Sequence, residues 1–190
     1  MKTIAVDLDD TLNNFSEVLA TAEFAREPNE SIAEETYRQH LARVRANAPE
    51  PSELLSTEYT YLRARIHLRC YELAVPWRDA AGFMQGLKRD GWRIVICTRR
   101  DLRRSRDVTH RWLERQGIPY DDLFMAGNKI VFCGLWKIPF LIDDDLFCVE
   151  HGARHGVQVF FPEQKKHAGI ATAGARPFQL FSEIREWIGA

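Results

Sequence analysis

The chain has almost no excess charge of either sign, because 26 lysines and arginines stand against 27 aspartates and glutamates. A formal charge of −1 creates no global field that would draw the protein to nucleic acid or to an anionic membrane. The sequence also lacks a GxxxxGK or GxGxxG loop, which excludes two common glycine-rich nucleotide cradles. We therefore expect a small ligand that is recognised by local groups, and neither nucleic acid nor a membrane as a partner.

Cysteine is scarce, and none of the four cysteines forms a CxxC pair. The four are Cys70, Cys97, Cys133 and Cys148. All lie in apolar stretches, which favours reduced core thiols over a disulfide framework or a zinc site. A long apolar run is missing at the amino end, since Asp7 follows directly on a short run that ends at Val6. This pattern is not typical of a signal peptide or a spanning helix, and we expect a cytoplasmic protein.

Short β-branched runs alternate with segments of helical spacing along most of the chain. Strands are predicted at residues 2–6, 93–98, 123–126, 140–142 and 157–161, and helices at 101–116, 129–137, 146–155 and 178–188. Residues 162–177 are rich in glycine, alanine and lysine and are predicted to form a loop. The alternation predicts an α/β fold with a Rossmann-like parallel sheet that helices cover on both faces.

Residues 14–75 interrupt this alternation. They contain no convincing strand, only helical stretches that are punctuated by Pro28, Pro49 and Pro51. We therefore predict an inserted α-helical domain at 14–75, and a core domain formed by residues 1–13 and 76–190.

Acidic residues collect where two of the predicted strands end. Asp7, Asp9 and Asp10 follow the first strand, and Asp143 and Asp144 follow the fourth. The carboxyl ends of the strands form the ligand-binding edge of an open α/β sheet. Crowded carboxylates repel one another and favour a hard cation, and Mg²⁺ suits such oxygen ligands better than zinc or copper. The sequence thus predicts Mg²⁺ as the cofactor.

Two further strand ends carry groups that suit a phosphate. Thr98 ends the second predicted strand, and Lys129 follows the third. Either residue alone would ordinarily be a turn or a helix cap. A hydroxyl, an ammonium and a carboxylate-bound metal at one sheet edge would together surround a phosphate, and the coincidence of four such strand ends favours a site.

These residues resemble the motifs of the haloacid dehalogenase-like phosphohydrolases, and the resemblance spans the whole chain. The segment Asp7-Leu8-Asp9-Asp10-Thr11-Leu12 is similar to the DxDxT motif of that family. Thr98 resembles its second motif, Lys129 its third and Asp143-Asp144 its acidic fourth. Lys137 stays an alternative to Lys129, because it also lies close to the fourth strand.

The resemblance implies a Mg²⁺-dependent phosphomonoesterase. Asp7 would be the nucleophile that forms an aspartyl-phosphate, and Asp9 would protonate the leaving oxygen and then activate water. Thr98 would hold the phosphoryl oxygens, and Lys129 would neutralise charge on the nucleophile and the phosphate. The implied metal ligands are Asp7, Asp9 and Asp144, with Asp143 acting through water.

The helical insert corresponds to the C1 cap of the family, and it is similar to that of the 5′(3′)-deoxyribonucleotidase branch. In that branch an aromatic residue at the position of Phe15 stacks on the base, although Phe15 could equally pack the first helix of the insert. The first expectation for the substrate is a (deoxy)nucleoside 5′-monophosphate. A sugar phosphate, a biosynthetic intermediate and a nucleic-acid 3′-phosphate end are alternatives.

The segment after Thr98 is rich in arginine. Arg99 or Arg100 could bind a second anionic group of the substrate, and a solvated helix face is the alternative. A receiver domain would also have acidic strand ends, but its phosphorylated aspartate lies on a middle strand, and the strand at 93–98 ends without one. A non-catalytic phosphate-binding protein and a homodimer both stay open.

Overall fold

The computed structural model describes residues 2–21, 42, 57–125 and 127–189. Six strands in these residues form one sheet: β1 Thr3–Val6, β2 Arg93–Thr98, β3 Asp122–Met125, β4 Phe140–Ile142, β5 Gln158–Pro162 and β6 Ala175–Phe178. Every neighbouring pair is parallel, and the order across the sheet is β3-β2-β1-β4-β5-β6. The predicted parallel sheet is confirmed.

The strand order reverses at β1, which lies between β2 and β4. Val6, the last residue of β1, pairs with Ile96 on one side and with Ile142 on the other. Residues that follow β1 and β4 therefore emerge side by side. Ligands bind to open α/β sheets at such a switch point, beyond the carboxyl ends of the strands.

Seven helices are described: α1 Phe15–Thr21, α2 Thr57–Leu73, α3 Ala80–Arg89, α4 Leu102–Arg115, α5 Lys129–Leu135, α6 Leu146–His151 and α7 Phe181–Ile188. Alternate strand residues point to opposite faces of the sheet. Ile4 belongs to one hydrophobic core with residues of α3, α4 and α7, and Ala5 belongs to a second core with residues of α5 and α6. Helices on both faces are thus confirmed, and they explain why the strands are continuous apolar runs.

The chain divides by its internal contacts into two compact units, residues 1–14 with 75–190 and residues 15–74. The second unit contains α1 and α2, which contact each other. Pro28, Pro49 and Pro51 lie outside the described residues. The cap domain therefore stays a prediction.

The predicted loop at 162–177 is wrong in part. It contains a 3₁₀ helix at Lys165–His167 and most of β6, which is the edge strand of the sheet beside β5. An edge strand pairs on one side only, so it tolerates Pro177 and needs no continuous apolar run. Two predicted helices are shorter than expected by three residues or more, because α7 begins at Phe181 and α6 passes into a 3₁₀ turn at Gly152–His155.

The four cysteines are buried and free, as predicted. A hydrogen bond with Cys133, together with burial, raises the pKa of the Cys97 thiol, and burial raises that of Cys148. Both groups therefore stay protonated at neutral pH. No helix within the described ranges is long and apolar enough to cross a membrane.

Candidate active site

Asp7 and Asp143 are fixed at the carboxyl edge of the sheet by their own backbones. The Asp7 N–H donates to the Ile142 carbonyl at 2.9 Å, and the Asp143 N–H donates to the Phe160 carbonyl at 2.9 Å. Each residue thus extends the hydrogen bonding of its strand by one position. Asp7, Asp143 and Asp144 are 5%, 0% and 8% exposed. Three carboxylates are therefore buried close together beyond β1 and β4.

Lys129 supplies a cation that contacts two of these carboxylates. It is the first residue of α5, whose N-cap Asn128 accepts a hydrogen bond from the Val131 N–H. Its Nζ lies 2.9 Å from Asp7 Oδ2 and 3.0 Å from Asp143 Oδ2, and the residue is 3% exposed. Lys137, the alternative, is exposed and lies beyond the other end of α5. The structure therefore brings Lys129, and not Lys137, to the acidic strand ends.

One ammonium does not balance the buried carboxylates. Burial raises the pKa of Asp7, and Asp143 and Asp144 raise it further, so it lies well above its usual range despite Lys129. Burial likewise raises the pKa of Asp143 against the opposing effect of Lys129. For Lys129, burial alone would lower the pKa, but the charges of Asp7 and Asp143 outweigh it and raise the pKa. The carboxylates of Asp7, Asp143 and Asp144 thus outnumber the two ammonium groups that pair with them, which in the described part of the chain are those of Lys129 and Lys166.

That excess fits a divalent cation. One carboxylate oxygen from each of Asp7, Asp143 and Asp144 can be chosen so that all three lie within 4.8 Å of one another. The donors are all oxygen atoms, which is the ligand type that Mg²⁺ prefers. These three residues would hold Mg²⁺, and the carboxylate of Asp9, the fourth predicted ligand, is not part of the group.

Asp144 is held by residues whose roles the sequence did not reveal. The Thr11 hydroxyl donates to Asp144 Oδ1 at 3.0 Å and accepts from the Asp144 N–H at 3.0 Å. Lys166 forms an ion pair with Asp144 Oδ2, and His167 Nε2 lies 2.8 Å from the Asp144 carbonyl oxygen. The only sequence signal for Lys166 and His167 was their position after a strand, at the ligand-binding edge.

Asp9 faces an arginine. Arg100 Nη2 lies 2.6 Å from Asp9 Oδ1, and Arg100 Nε donates to Asp9 Oδ2 at 2.9 Å. Arg99 instead has a side chain that is 53% exposed and forms an ion pair with Asp145 at 2.6 Å. The two neighbouring arginines thus differ. Arg100 is buried and pairs with a predicted catalytic residue, whereas Arg99 lies at the surface.

Thr98 and Phe15 complete the set of predicted site residues. Thr98 ends β2 and is 1% exposed, and its Oγ1 accepts from the Arg100 N–H at 3.2 Å. Phe15 belongs to the helical unit, where it is 9% exposed, stacks on Tyr71 with ring centroids 5.1 Å apart and meets His67 edge-on at 5.4 Å. Substrate contacts of Phe15, Thr98 and Arg99 stay predictions.

The solved structures that are similar to this chain include hydrolases named as haloacid dehalogenase-like. A haloacid dehalogenase-like hydrolase from Streptococcus pneumoniae is 16% identical, with a TM-score of 0.66, and the match covers 99% of this chain and 98% of that one. The putative hydrolase YfnB of the same superfamily from Bacillus subtilis, solved bound to magnesium, is 15% identical with a TM-score of 0.65, covering 100% and 99%. D,D-heptose 1,7-bisphosphate phosphatase from Burkholderia thailandensis is 11% identical with a TM-score of 0.58, covering 100% and 99%.

No protein-family model and no curated protein sequence matches the chain. The structural likeness nevertheless covers nearly the whole chain. The chain therefore has the haloacid dehalogenase-like fold.

Proposed function

We propose that the protein is a Mg²⁺-dependent phosphomonoesterase that acts through an aspartyl-phosphate on a small phosphorylated metabolite. The position of Asp7 carries this proposal. Its carboxylate is buried at the carboxyl edge of the sheet, 2.9 Å from the Lys129 ammonium and grouped with Asp143 and Asp144. Such a carboxylate lies where fixed positive charge can hold a phosphoryl group in line for attack.

The reaction would take place in two half-reactions. In the first, an Asp7 oxygen bonds to phosphorus, the bond from phosphorus to the leaving oxygen breaks, and Asp9 gives its proton to the leaving alcohol. In the second, a water oxygen bonds to phosphorus, Asp9 takes a proton from that water, and the bond between Asp7 and phosphorus breaks. The products are an alcohol and inorganic phosphate, and both aspartates return to their starting states.

Lys129 and Thr98 would hold the transferred phosphoryl group. The Lys129 ammonium, which already contacts Asp7, would place its charge where negative charge develops on the phosphoryl oxygens. Thr98 is buried at the end of β2 and offers a hydroxyl at the same edge. Mg²⁺ held by Asp7, Asp143 and Asp144 would supply further positive charge to the phosphoryl oxygens.

The Asp9 carboxylate forms an ion pair with Arg100. Its role as a metal ligand therefore stays a prediction. In the proposed mechanism Asp9 therefore moves protons, and the three grouped carboxylates are the candidate ligands.

The substrate is proposed as a small monoester, with a (deoxy)nucleoside 5′-monophosphate as the first candidate. A sugar phosphate is the second candidate, and the likeness to a heptose bisphosphate phosphatase supports including it. Phe15 is the residue on which nucleotide selectivity would depend. Phosphate release should therefore be measured for nucleotides and sugar phosphates side by side.

The deciding experiment compares Asp7→Asn with Asp122→Asn. Asp122 begins β3, is exposed and pairs with Arg93, so its variant controls for the loss of a carboxylate away from the site. With Mg²⁺ present, we expect wild type and Asp122→Asn to release phosphate, and Asp7→Asn to release none, because an amide is not a nucleophile toward phosphorus. Acid-quenched mass spectrometry should find a phosphoryl group on the peptide that contains Asp7.

Near-normal turnover by Asp7→Asn would overturn the mechanism. A stable phosphoryl group on Asp7 without turnover would instead indicate a receiver-like protein. Binding of phosphate with neither result would indicate a non-catalytic binding protein.

A further inference from the structure

Arg100 is a buried arginine that faces Asp9 with two nitrogens. The residue is 3% exposed, with Nη2 at 2.6 Å from Asp9 Oδ1 and Nε at 2.9 Å from Asp9 Oδ2. A two-point contact of this kind fixes both the distance and the plane of a carboxylate. The Asp9 side chain is 20% exposed, so small molecules still have access to it.

The guanidinium is itself anchored to the core. Its Nη1 donates to Thr109 Oγ1 at 3.0 Å, and Thr109 is a fully buried residue of α4. The Arg100 backbone N–H donates to the Thr98 hydroxyl at the end of β2. The orientation of Asp9 is therefore tied to β2 and α4 through Arg100.

Packing alone gives little reason for this arrangement. Arginine is almost never fully buried unless it is paired, because the charged group must be removed from water. An apolar side chain of similar volume would often stabilise the same position equally well or better. Yet the guanidinium here is directed at a carboxylate 91 positions earlier in the chain, the one to which the proposed mechanism gives the proton transfers.

We propose that Arg100 is a positioning residue, which holds Asp9 in the orientation from which it gives a proton to the leaving alcohol. This inference rests on the proposed function. Each carboxylate oxygen has two lone-pair positions. Arg100 takes one on each oxygen, and the Asn13 amide donates to Asp9 Oδ1 at 3.5 Å. Among the described contacts one position on Oδ2 is left, and it would face first the leaving oxygen and then water. Proton transfer needs heavy atoms about 2.6–3.2 Å apart, and a misplacement of about 1 Å can lower the rate about 100-fold.

The test uses leaving groups that differ in their need for a proton. p-Nitrophenyl phosphate releases a stable phenolate without one, phenyl phosphate is intermediate, and an alkyl phosphate requires protonation. For Arg100→Met we expect kcat/KM on the alkyl phosphate to fall about 100-fold. On p-nitrophenyl phosphate the value should stay within a few-fold of wild type. If Arg100 had only a structural role, Arg100→Met would lower kcat/KM by the same factor for all three substrates. That result would overturn the proposal.

A double-mutant cycle with Asp9→Asn supplies the second readout. If Arg100 acts through Asp9, Arg100→Met should cause no further loss on phenyl phosphate once Asp9 is Asn. An equal loss in both backgrounds would overturn the proposal, because Arg100 would then act independently of Asp9.

Further variants keep the test decisive if Arg100→Met fails to fold. Thr109→Val removes the anchor of the guanidinium but leaves its charge, and it should show a smaller loss with the same dependence on the leaving group. Arg106→Met, an exposed position on α4, is the matched control and should behave as wild type. If Thr109→Val lowered kcat/KM by the same factor for all three substrates, that result would again contradict the positioning role. Absence of phosphate release by wild type would overturn the proposed function and this inference together.

Discussion

Replacing Lys129 with methionine would test how the buried charges of the site are balanced. The Lys129 ammonium is 2.9 Å from Asp7 Oδ2 and 3.0 Å from Asp143 Oδ2, and both carboxylates are buried. Methionine has a similar unbranched shape without the charge. The variant would therefore leave two buried carboxylates without the cation that lies between them.

The structure gives the size of the expected loss. Unit charges 3 Å apart attract by about 5.5 kcal/mol at an effective dielectric constant of about 20, and desolvation of the charges offsets part of this. Removing one partner of a buried pair costs about 3–5 kcal/mol. We expect a loss in that range for the free energy of unfolding at neutral pH without metal, or a melting temperature lower by roughly 6–20 °C.

Acid should reduce this loss. The pKa values of Asp7 and Asp143 are raised above the usual 3.8, first by burial and then by neighbouring carboxylates. A carboxyl group whose pKa is raised by folding stabilises the folded protein when the pH is below the pKa of the unfolded state. This stabilisation is lost as the pH rises through the pKa of the folded state. Loss of Lys129 would raise both values further, so the deficit should be small near about pH 4–5 and should widen toward neutral pH. The raised pKa of Lys129 keeps its ammonium charged in wild type throughout this window, so the pH dependence comes from the carboxylates.

Chemical unfolding followed by tryptophan fluorescence, in chelator at several pH values, would measure the deficit. Lys137→Met is the matched control, because Lys137 is an exposed lysine just beyond the same helix. Its free energy of unfolding should equal that of wild type at every pH. The reasoning fails if Lys129→Met is as stable as Lys137→Met, or if its deficit is the same at acid and neutral pH.

Three further predictions concern the metal, the aromatic residue and a close backbone contact. Asp144→Ala should keep the fold but lose the increase in melting temperature that Mg²⁺ gives wild type, and an unchanged increase would exclude Asp144 as a ligand. Phe15→Ala should cost about 3–5 kcal/mol of stability, because the ring is buried against Tyr71. It should lower nucleotide turnover about 10-fold or more and spare a small non-aromatic ester, whereas equal losses on both substrates would make Phe15 a packing residue. Gly152→Ala should cost about 1–3 kcal/mol in urea unfolding, since a Cβ there would collide with the Val159 side chain and lie 2.9 Å from the Val157 carbonyl oxygen. Gly82→Ala, with nothing within 4 Å of the added Cβ, is its control and should not destabilise the protein.

Local patterns predict the centre of the fold well because each central strand is buried on both faces. Residues 93–98 form a continuous apolar run that ends at Thr98, and they are β2 in the structure. The edge strand β6 has no such run, since one partner strand suffices to hold it. Its pairing with β5 therefore could not be predicted from residues 175–178 alone.

By itself, the sequence determined that acidic residues follow two buried strands, and that a hydroxyl and a lysine follow two others. The contacts among these groups were decided by the tertiary structure. Val6 lies between Ile96 and Ile142 because the strand order reverses at β1, and this juxtaposition places Asp7 near Asp143. The pairing of Arg100 with Asp9 spans 91 positions, and helical or strand periodicity is a local signal that carries no information over such a distance.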